Sequence, residues 1–277
     1  MSADLPADPA TPSRPGDRWR EALRATAVPA EIVERSPEPP PTLEPERFRW
    51  RPDEDAKQPV RPSRRRALEA LPAGGTVLDV GVGGGASCLG LAARAGLIVG
   101  VDGSEGMLQA FLASAEAAGV AALAVLGWWP EVAGEVEPAD VAVCHHAMYR
   151  VEQVEEFVEA LTAHARHRVV VELSARSPLA GLEPLWRSIH GLERPDWLVA
   201  DELEAVLRTM GLGVEREDMV LPGRPQDVTP ELVAFARRRL YVGPEHDAEI
   251  ERFLRDREVQ DHRVVALWWP GGASPAA

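Results

Sequence analysis

Lysine is nearly absent from this chain: of thirty basic residues only Lys57 is not an arginine, a bias that reads as genomic base composition and assigns no function. Cysteine is almost as scarce. Cys88 and Cys144 are the only two, both inside apolar runs, and no spaced framework surrounds them. That pattern argues against structural disulfides and for a reducing compartment. No apolar stretch approaches the roughly 20 residues a membrane helix needs. The first residues carry Pro and Asp where a secretory leader needs bases followed by an apolar core. A cytoplasmic, non-membrane protein is therefore expected. Positive charge is also short overall: 44 acids against 30 bases leave a net charge of −14 and a pI near 5.0. Such a surface repels phosphate backbones, so no nucleic-acid partner is expected. "RPSRRRALEA" is the one concentrated basic stretch, and it reads as a solvated helix start. No Cys/His ligand set is present and His145 and His146 are sequence neighbours, so no metal is expected.

What the chain does have is core. With 277 residues and 45% hydrophobic composition, a globular body is expected, carrying appendages. Residues 1–16 read as a disordered Pro- and Ala-rich tail. Residues 17–60 read as an N-terminal cover: a helix over 17–35 broken at Pro29, then a proline-rich linker. From 61 onward the pattern alternates. A helix from about Ser63 to Leu71 leads into the strand "TVLDVGV". A small-residue helix "ASCLGLAARAG" is followed by the strand "LIVGVD" and the helix "SEGMLQAFLASAEAAG", capped by Ser104. Strands "VAALAVLG" and "ADVAVCHH", the amphipathic helix "VEQVEEFVEALTAHA" and the strand "HRVVVEL" follow. Apolar strands alternating with helices predict a doubly wound α/β domain with a mostly parallel sheet. Insertions are expected at about 175–200 and 224–260, with closing strands "LGVEREDMVLP" and "HRVVALWWPG".

The glycine-rich turn after the first strand, "DVGVGGGA", asks for a ligand. It lacks the Gly-Lys-Ser/Thr ending of a triphosphate loop. Gly81, Gly83 and Ala86 fit a dinucleotide fingerprint, and Asp102 stands about where its ribose-binding acid would. Asp79 weighs against that reading. Beside a pyrophosphate its charge repels, by roughly 4 kcal/mol at 4 Å and an effective dielectric near 20. Beside an ammonium the same carboxylate attracts.

"VLDVGVGGGA" resembles the D/E-x-G-x-G-x-G signature of class I S-adenosylmethionine-dependent methyltransferases. "VGVDGSEGML" is similar to their second motif and "ADVAVCHHAMYRV" to their fourth-strand region. The resemblance covers residues 60–175 well and the remainder loosely. It implies a Rossmann-like sheet of seven strands, the last antiparallel, and S-adenosyl-L-methionine as cofactor. Asp79 is then expected to face the methionine amino group, with Gly81, Val82, Gly83 and Gly85 forming the turn. Asp102 and Gly103 are expected at the ribose, and Met107 over the adenine face. Relatives often place an Asp-containing turn after strand three; this chain has Gly127-Trp128-Trp129, so one indole is expected against the purine. His145 is expected beside the cofactor.

His145, His146 and Tyr149 follow strand four and are the candidate catalytic residues. Methyl transfer is a backside displacement for which positioning supplies most of the rate, and a base is needed only where the acceptor must lose a proton. The N-terminal and C-terminal covers carry Trp19, Trp50, Trp186 and Trp197, which point to a small, apolar or planar methyl acceptor. Two alternatives stay open: a non-catalytic S-adenosylmethionine-binding protein, and a protein or RNA methyltransferase. A nicotinamide oxidoreductase is the remote one. The oligomeric state is not legible.

Overall fold

In this computed structural model the described residues are 16–40, 44–177, 180–195, 197–223 and 225–272. The expected tail therefore lies outside them except for Gly16, as do residues 41–43 of the linker. The chain opens with α1 (Asp17–Thr26) and α2 (Ala30–Arg35), interrupted just before Pro29 as expected. Two single turns follow, α3 (Pro45–Phe48) and α4 (Pro52–Asp55), then α5 (Pro62–Ala70). Each of these three has proline at its first position, where the missing N–H costs nothing.

The alternating body comprises β1 (Gly75–Val80), β2 (Ala95–Asp102), α6 (Glu105–Ala118), β3 (Ala121–Leu126) and β4 (Ala139–His145). It continues with α7 (Val154–Ala163), β5 (Ala165–Ser174), α8 (Glu183–His190) and α9 (Val199–Thr209). After β6 (Glu215–Leu221) come α10 (Pro230–Leu240), α11 (Asp247–Asp256) and the closing β7 (His262–Pro270). The sheet order is β3-β2-β1-β4-β5-β7-β6, parallel except that β7 runs antiparallel to both β5 and β6. This is the expected doubly wound, mostly parallel seven-stranded sheet. The switch in strand order falls between β1 and β4, so the carboxyl ends of those strands frame a crevice.

One core lies on each face. Trp19, Phe157, Leu161, Leu203 and Leu207 pack on one side, from α1, α7 and α9. Ala67, Leu71, Leu108 and Phe111 pack on the other, from α5 and α6. A third cluster joins α2, α8, α10 and α11 through Ile32, Leu185, Trp186, Val233, Leu240 and Ile250.

One expected element is corrected. The helix over 86–96 does not form; Leu89–Leu91 makes a single 3-10 turn, and β2 begins at Ala95. The reason is length. Gly81, Gly83 and Gly85 all take positive φ, which no helix tolerates, leaving nine residues to reach the next strand.

The basic stretch is likewise resolved. Arg61 pairs with Glu172, Arg64 with Asp55, Arg65 with Glu217, and Arg66 with Glu69 and Glu217. These arginines fasten α5 to its neighbours and to the segment before it.

Candidate active site

A cavity of about 1290 Å³ occupies the crevice at the carboxyl ends of β1, β2, β3 and β4. Its floor is the turn after β1. Asp79 is fully buried there, with Oδ2 accepting from the Ser87 hydroxyl and Oδ1 left without any partner. Burial pushes its carboxyl up to about 6, against the hydrogen bond of Ser87. A buried carboxylate oxygen without a donor is costly, and an incoming ammonium would satisfy it.

The turn itself is set by its glycines. Gly81 has φ +76, and a Cβ there would meet the Cβ of Ala147 at 2.3 Å. Gly83, at φ +52, has open space where a Cβ would stand. Its amide donates to Oδ2 of Asp102 at 3.0 Å, while Oδ1 of Asp102 accepts from the amide of Ser104 at 2.9 Å. Thus Asp102, at the end of β2, is fixed beside the turn and lines the cavity. The donor set fits the cofactor: an orphaned carboxylate oxygen for a cation, a turn with open space at Gly83, and a second carboxylate beside it for hydroxyl donors.

The remaining cofactor candidates are spread around the same opening. Val82, Gly83, Asp102, Gly103, Met107, Gly127, Trp128, Trp129 and His145 all line the cavity; Gly85 does not, and instead packs under Leu89 and Phe111. Met107 is buried on the first turn of α6, whose start Ser104 caps. The two tryptophans differ. Trp129 is buried, donates its indole N–H to the Phe157 carbonyl at 3.3 Å and stands edge-on to His164. Trp128 is 69% exposed and lies over the backbone of Gly103, where a Cβ would meet its ring at 2.6 Å.

Beyond the glycine turn, β4 ends in His145, the register partner of Glu172 on β5. His145 lines the cavity with Nε2 unpartnered, and burial pushes the imidazole down to about 4. His146 has left-handed backbone, φ +55, uncommon for a non-glycine residue. That turn brings its ring back over β5, with Nε2 3.2 Å from Oε1 of Glu172 and Nδ1 2.7 Å from the Tyr149 hydroxyl. Tyr149 in turn accepts the Ser174 amide at 2.8 Å. The tyrosine's one hydrogen is thus left for Nδ1, and Nε2 carries the ring proton toward the carboxylate. Tyr149 stands behind His146, outside the lining of the cavity.

Three residues of this cluster escaped the sequence reading: Glu172, Arg61 and Ser63. Glu172 is fully buried and accepts from Arg61, from Ser63 Oγ at 2.6 Å and from His146. Burial alone would raise its carboxyl; the His146 hydrogen bond and the charges of His145 and Arg61 hold it well below the usual carboxylate range. The available signal was an acid inside the apolar strand "HRVVVEL".

The roof comes from the N-terminal cover. Trp50 donates its amide to the Gly84 carbonyl at 3.2 Å, and a Cβ at Gly84 would collide with the Phe48 carbonyl at 2.2 Å. The segment Phe48–Trp50 thus lies directly on the glycine turn. Of the four cover tryptophans only Trp50 lines the cavity. Trp19, Trp186 and Trp197 are buried pins instead: Trp19 stacks edge-on to Trp197 at 5.1 Å and donates to the Val151 carbonyl, and Trp186 sits in the outer cluster. No group of three or more metal-ligating side chains occurs among the described residues, and no helix there is long and apolar enough to cross a membrane.

Residues 77–168, from β1 into β5, match a family model described as a methyltransferase domain. No curated protein matches the chain. Among solved structures the chain is similar to a SAM-dependent methyltransferase from Thiobacillus denitrificans in complex with S-adenosyl-L-homocysteine. Identity is 22%, over 78% of this chain and 93% of that one, with a TM-score of 0.49. A SAM-dependent methyltransferase from Geobacter sulfurreducens, also in complex with S-adenosyl-L-homocysteine, gives 22% identity, 77% and 94% coverage and a TM-score of 0.47. Precorrin-6y C5,15-methyltransferase from Geobacter metallireducens gives 11% identity, 80% and 95% coverage and 0.47. The match spans the glycine turn and its two carboxylates, so residues 77–168 are similar to a methyltransferase domain.

Proposed function

We propose that the protein methylates a small-molecule acceptor whose nucleophile loses a proton to His146. The observation that carries this reading is that His146, held by Glu172 and Tyr149, opens on the same cavity as Asp102 and the glycine turn, with Asp79 buried just beneath that turn. The cofactor, when bound, supplies an electrophilic methyl on a sulfonium. Asp79 would hold its amino group, Asp102 its ribose hydroxyls, and Met107 with Trp128 or Trp129 its adenine. The volume of about 1290 Å³ exceeds the usual range of single-ligand pockets and leaves room for a second small molecule.

The two histidines take different parts. His145, pushed down to about 4, stays neutral at physiological pH and offers a hydrogen bond rather than a base. His146 has its ring proton on Nε2 and its Nδ1 lone pair on the Tyr149 hydroxyl, so taking the acceptor's proton requires the Tyr149 contact to break and the ring to turn Nδ1 toward the cavity. Glu172 then faces an imidazolium, which its charge stabilises. The segment Phe48–Trp50, bonded to the glycine turn through the Trp50 amide, would cover the cofactor end of the cavity. A cytoplasmic protein with no nucleic-acid partner agrees with the net charge of −14.

The test is a mass-spectrometric screen: enzyme, labelled cofactor and a metabolite extract, read for gain of one methyl. Labelled small molecules are expected, and His146→Asn should cut their yield by about 10²-fold or more, within the usual worth of general-base catalysis. Label found only on protein or RNA would overturn the small-molecule reading.

A further inference from the structure

Arg61 and His146 share a single oxygen. Oε1 of Glu172 accepts both from Nη1 of Arg61 and from Nε2 of His146, while Oε2 is occupied by the Ser63 hydroxyl. Glu172 is fully buried, whereas the Arg61 and His146 side chains that meet it are 41% and 36% exposed, so the carboxylate is shielded from solvent more than its two partners are. Arg61 is delivered from outside the sheet. It precedes Pro62, the first residue of α5, and its extended backbone (φ −70, ψ 148) follows from that proline. Pro62 and Ser63 are both buried, which fixes the start of α5 against β5.

A carboxylate alone beside a histidine favours the protonated ring, often by more than a pH unit. A protonated ring cannot accept a proton. A carboxylate already paired with a guanidinium still accepts the Nε2 hydrogen bond and still orients the ring, but offers no net charge to hold a proton there. We propose that Arg61 is a positioning residue for methyl transfer, neutralising Glu172 so that the carboxylate aligns His146 without trapping it as imidazolium. The proposal rests on the reading of His146 as the base. The other groups facing the ring are Tyr149 after β4, His145 at the end of β4, and His262 of β7, whose Nε2 lies 3.2 Å from Ser174 Oγ. Among these groups Arg61 is the one permanent cation.

The experiment follows the ring titration of His146 by NMR in the full chain, its signal identified by loss in His146→Asn, alongside the pH dependence of kcat. In Arg61→Gln, both the ring titration and the acid limb of kcat should move up by about 1 pH unit. Arg61→Lys, which keeps the charge, should titrate as the wild type does. Arg61→Gln combined with Glu172→Gln should return the titration toward its original position. Should Arg61→Gln fail to fold, Glu172→Gln is compared with the double variant: Arg61 unopposed should hold the titration lower in the single variant than in the double. A folded Arg61→Gln that titrates where the wild type does would overturn the proposal, as would a Glu172→Gln ring that titrates no lower than that of the double variant. Full turnover in His146→Asn would be a different failure, that of the base reading, and would take the positioning role with it whatever the ring titration shows.

Discussion

The amide of Gly83 donates to Oδ2 of Asp102 across 3.0 Å, tying the turn after β1 to the acid that ends β2. Gly83 is also the glycine whose missing Cβ leaves open space at φ +52. Gly83→Ala should therefore fold, losing about 1 kcal/mol to left-handed strain, yet bind S-adenosylhomocysteine at least tenfold more weakly. Gly81→Ala differs, because its Cβ meets Ala147 at 2.3 Å and should lower the melting temperature as well. Calorimetric titration and thermal melts of the two variants separate these outcomes.

Asp79 supplies a pH signature. Its carboxyl is pushed up to about 6 by burial, so the folded protein without cofactor binds that proton more tightly than the unfolded chain does. The contribution of Asp79 to stability is therefore lost as pH rises from the ordinary carboxylate value through about 6, not as it falls. Binding an ammonium reverses the preference, since only the ionised form attracts it. Affinity for S-adenosylhomocysteine should fall as pH drops below about 6. In Asp79→Asn that pH limb should vanish, binding at pH 7.5 should weaken roughly tenfold or more, and the cofactor-free protein should melt no lower. Unchanged affinity in Asp79→Asn would remove the ammonium contact.

Trp128 and Trp129 are adjacent but placed differently, and fluorescence can tell them apart. Trp129→Phe removes a buried ring and its hydrogen bond to the Phe157 carbonyl, so a loss of roughly 1–3 kcal/mol is expected. Trp128→Phe changes an exposed ring and should leave stability within about 0.5 kcal/mol. If an indole meets the purine, quenching of emission by S-adenosylhomocysteine should drop in one of the two variants. Equal quenching in wild type and both variants would mean that neither indole does.

The outer cluster should be separable from cofactor binding. Ile250 of α11 is fully buried among Ile32, Val233 and Leu240, none of which lines the cavity. Ile250→Ala should cost about 2–5 kcal/mol by cavity formation. Hydrogen exchange should rise first in α10 and α11, with the affinity for S-adenosylhomocysteine unchanged.

The glycine turn was legible in sequence because it is local. Asp79, Gly81 and Gly83 lie within five residues, and the turn they make follows from backbone freedom. The strand pattern was legible for the same reason: period and apolarity are properties of a short window. The order β3-β2-β1-β4-β5-β7-β6 then follows from the rhythm only with the family resemblance added. What failed was the segment 86–96, whose composition suits a helix; after three positive-φ glycines only nine residues remain before β2, and they make a single 3-10 turn. The transfer end is a tertiary product. Arg61, Ser63, His146 and Glu172 come from three elements up to 111 residues apart, and nothing in the sequence spacing marks them as neighbours. Local sequence determined the glycine turn and the acids beside it; only packing, which buries Glu172 and decides who shares its oxygens, determined how its histidine is held.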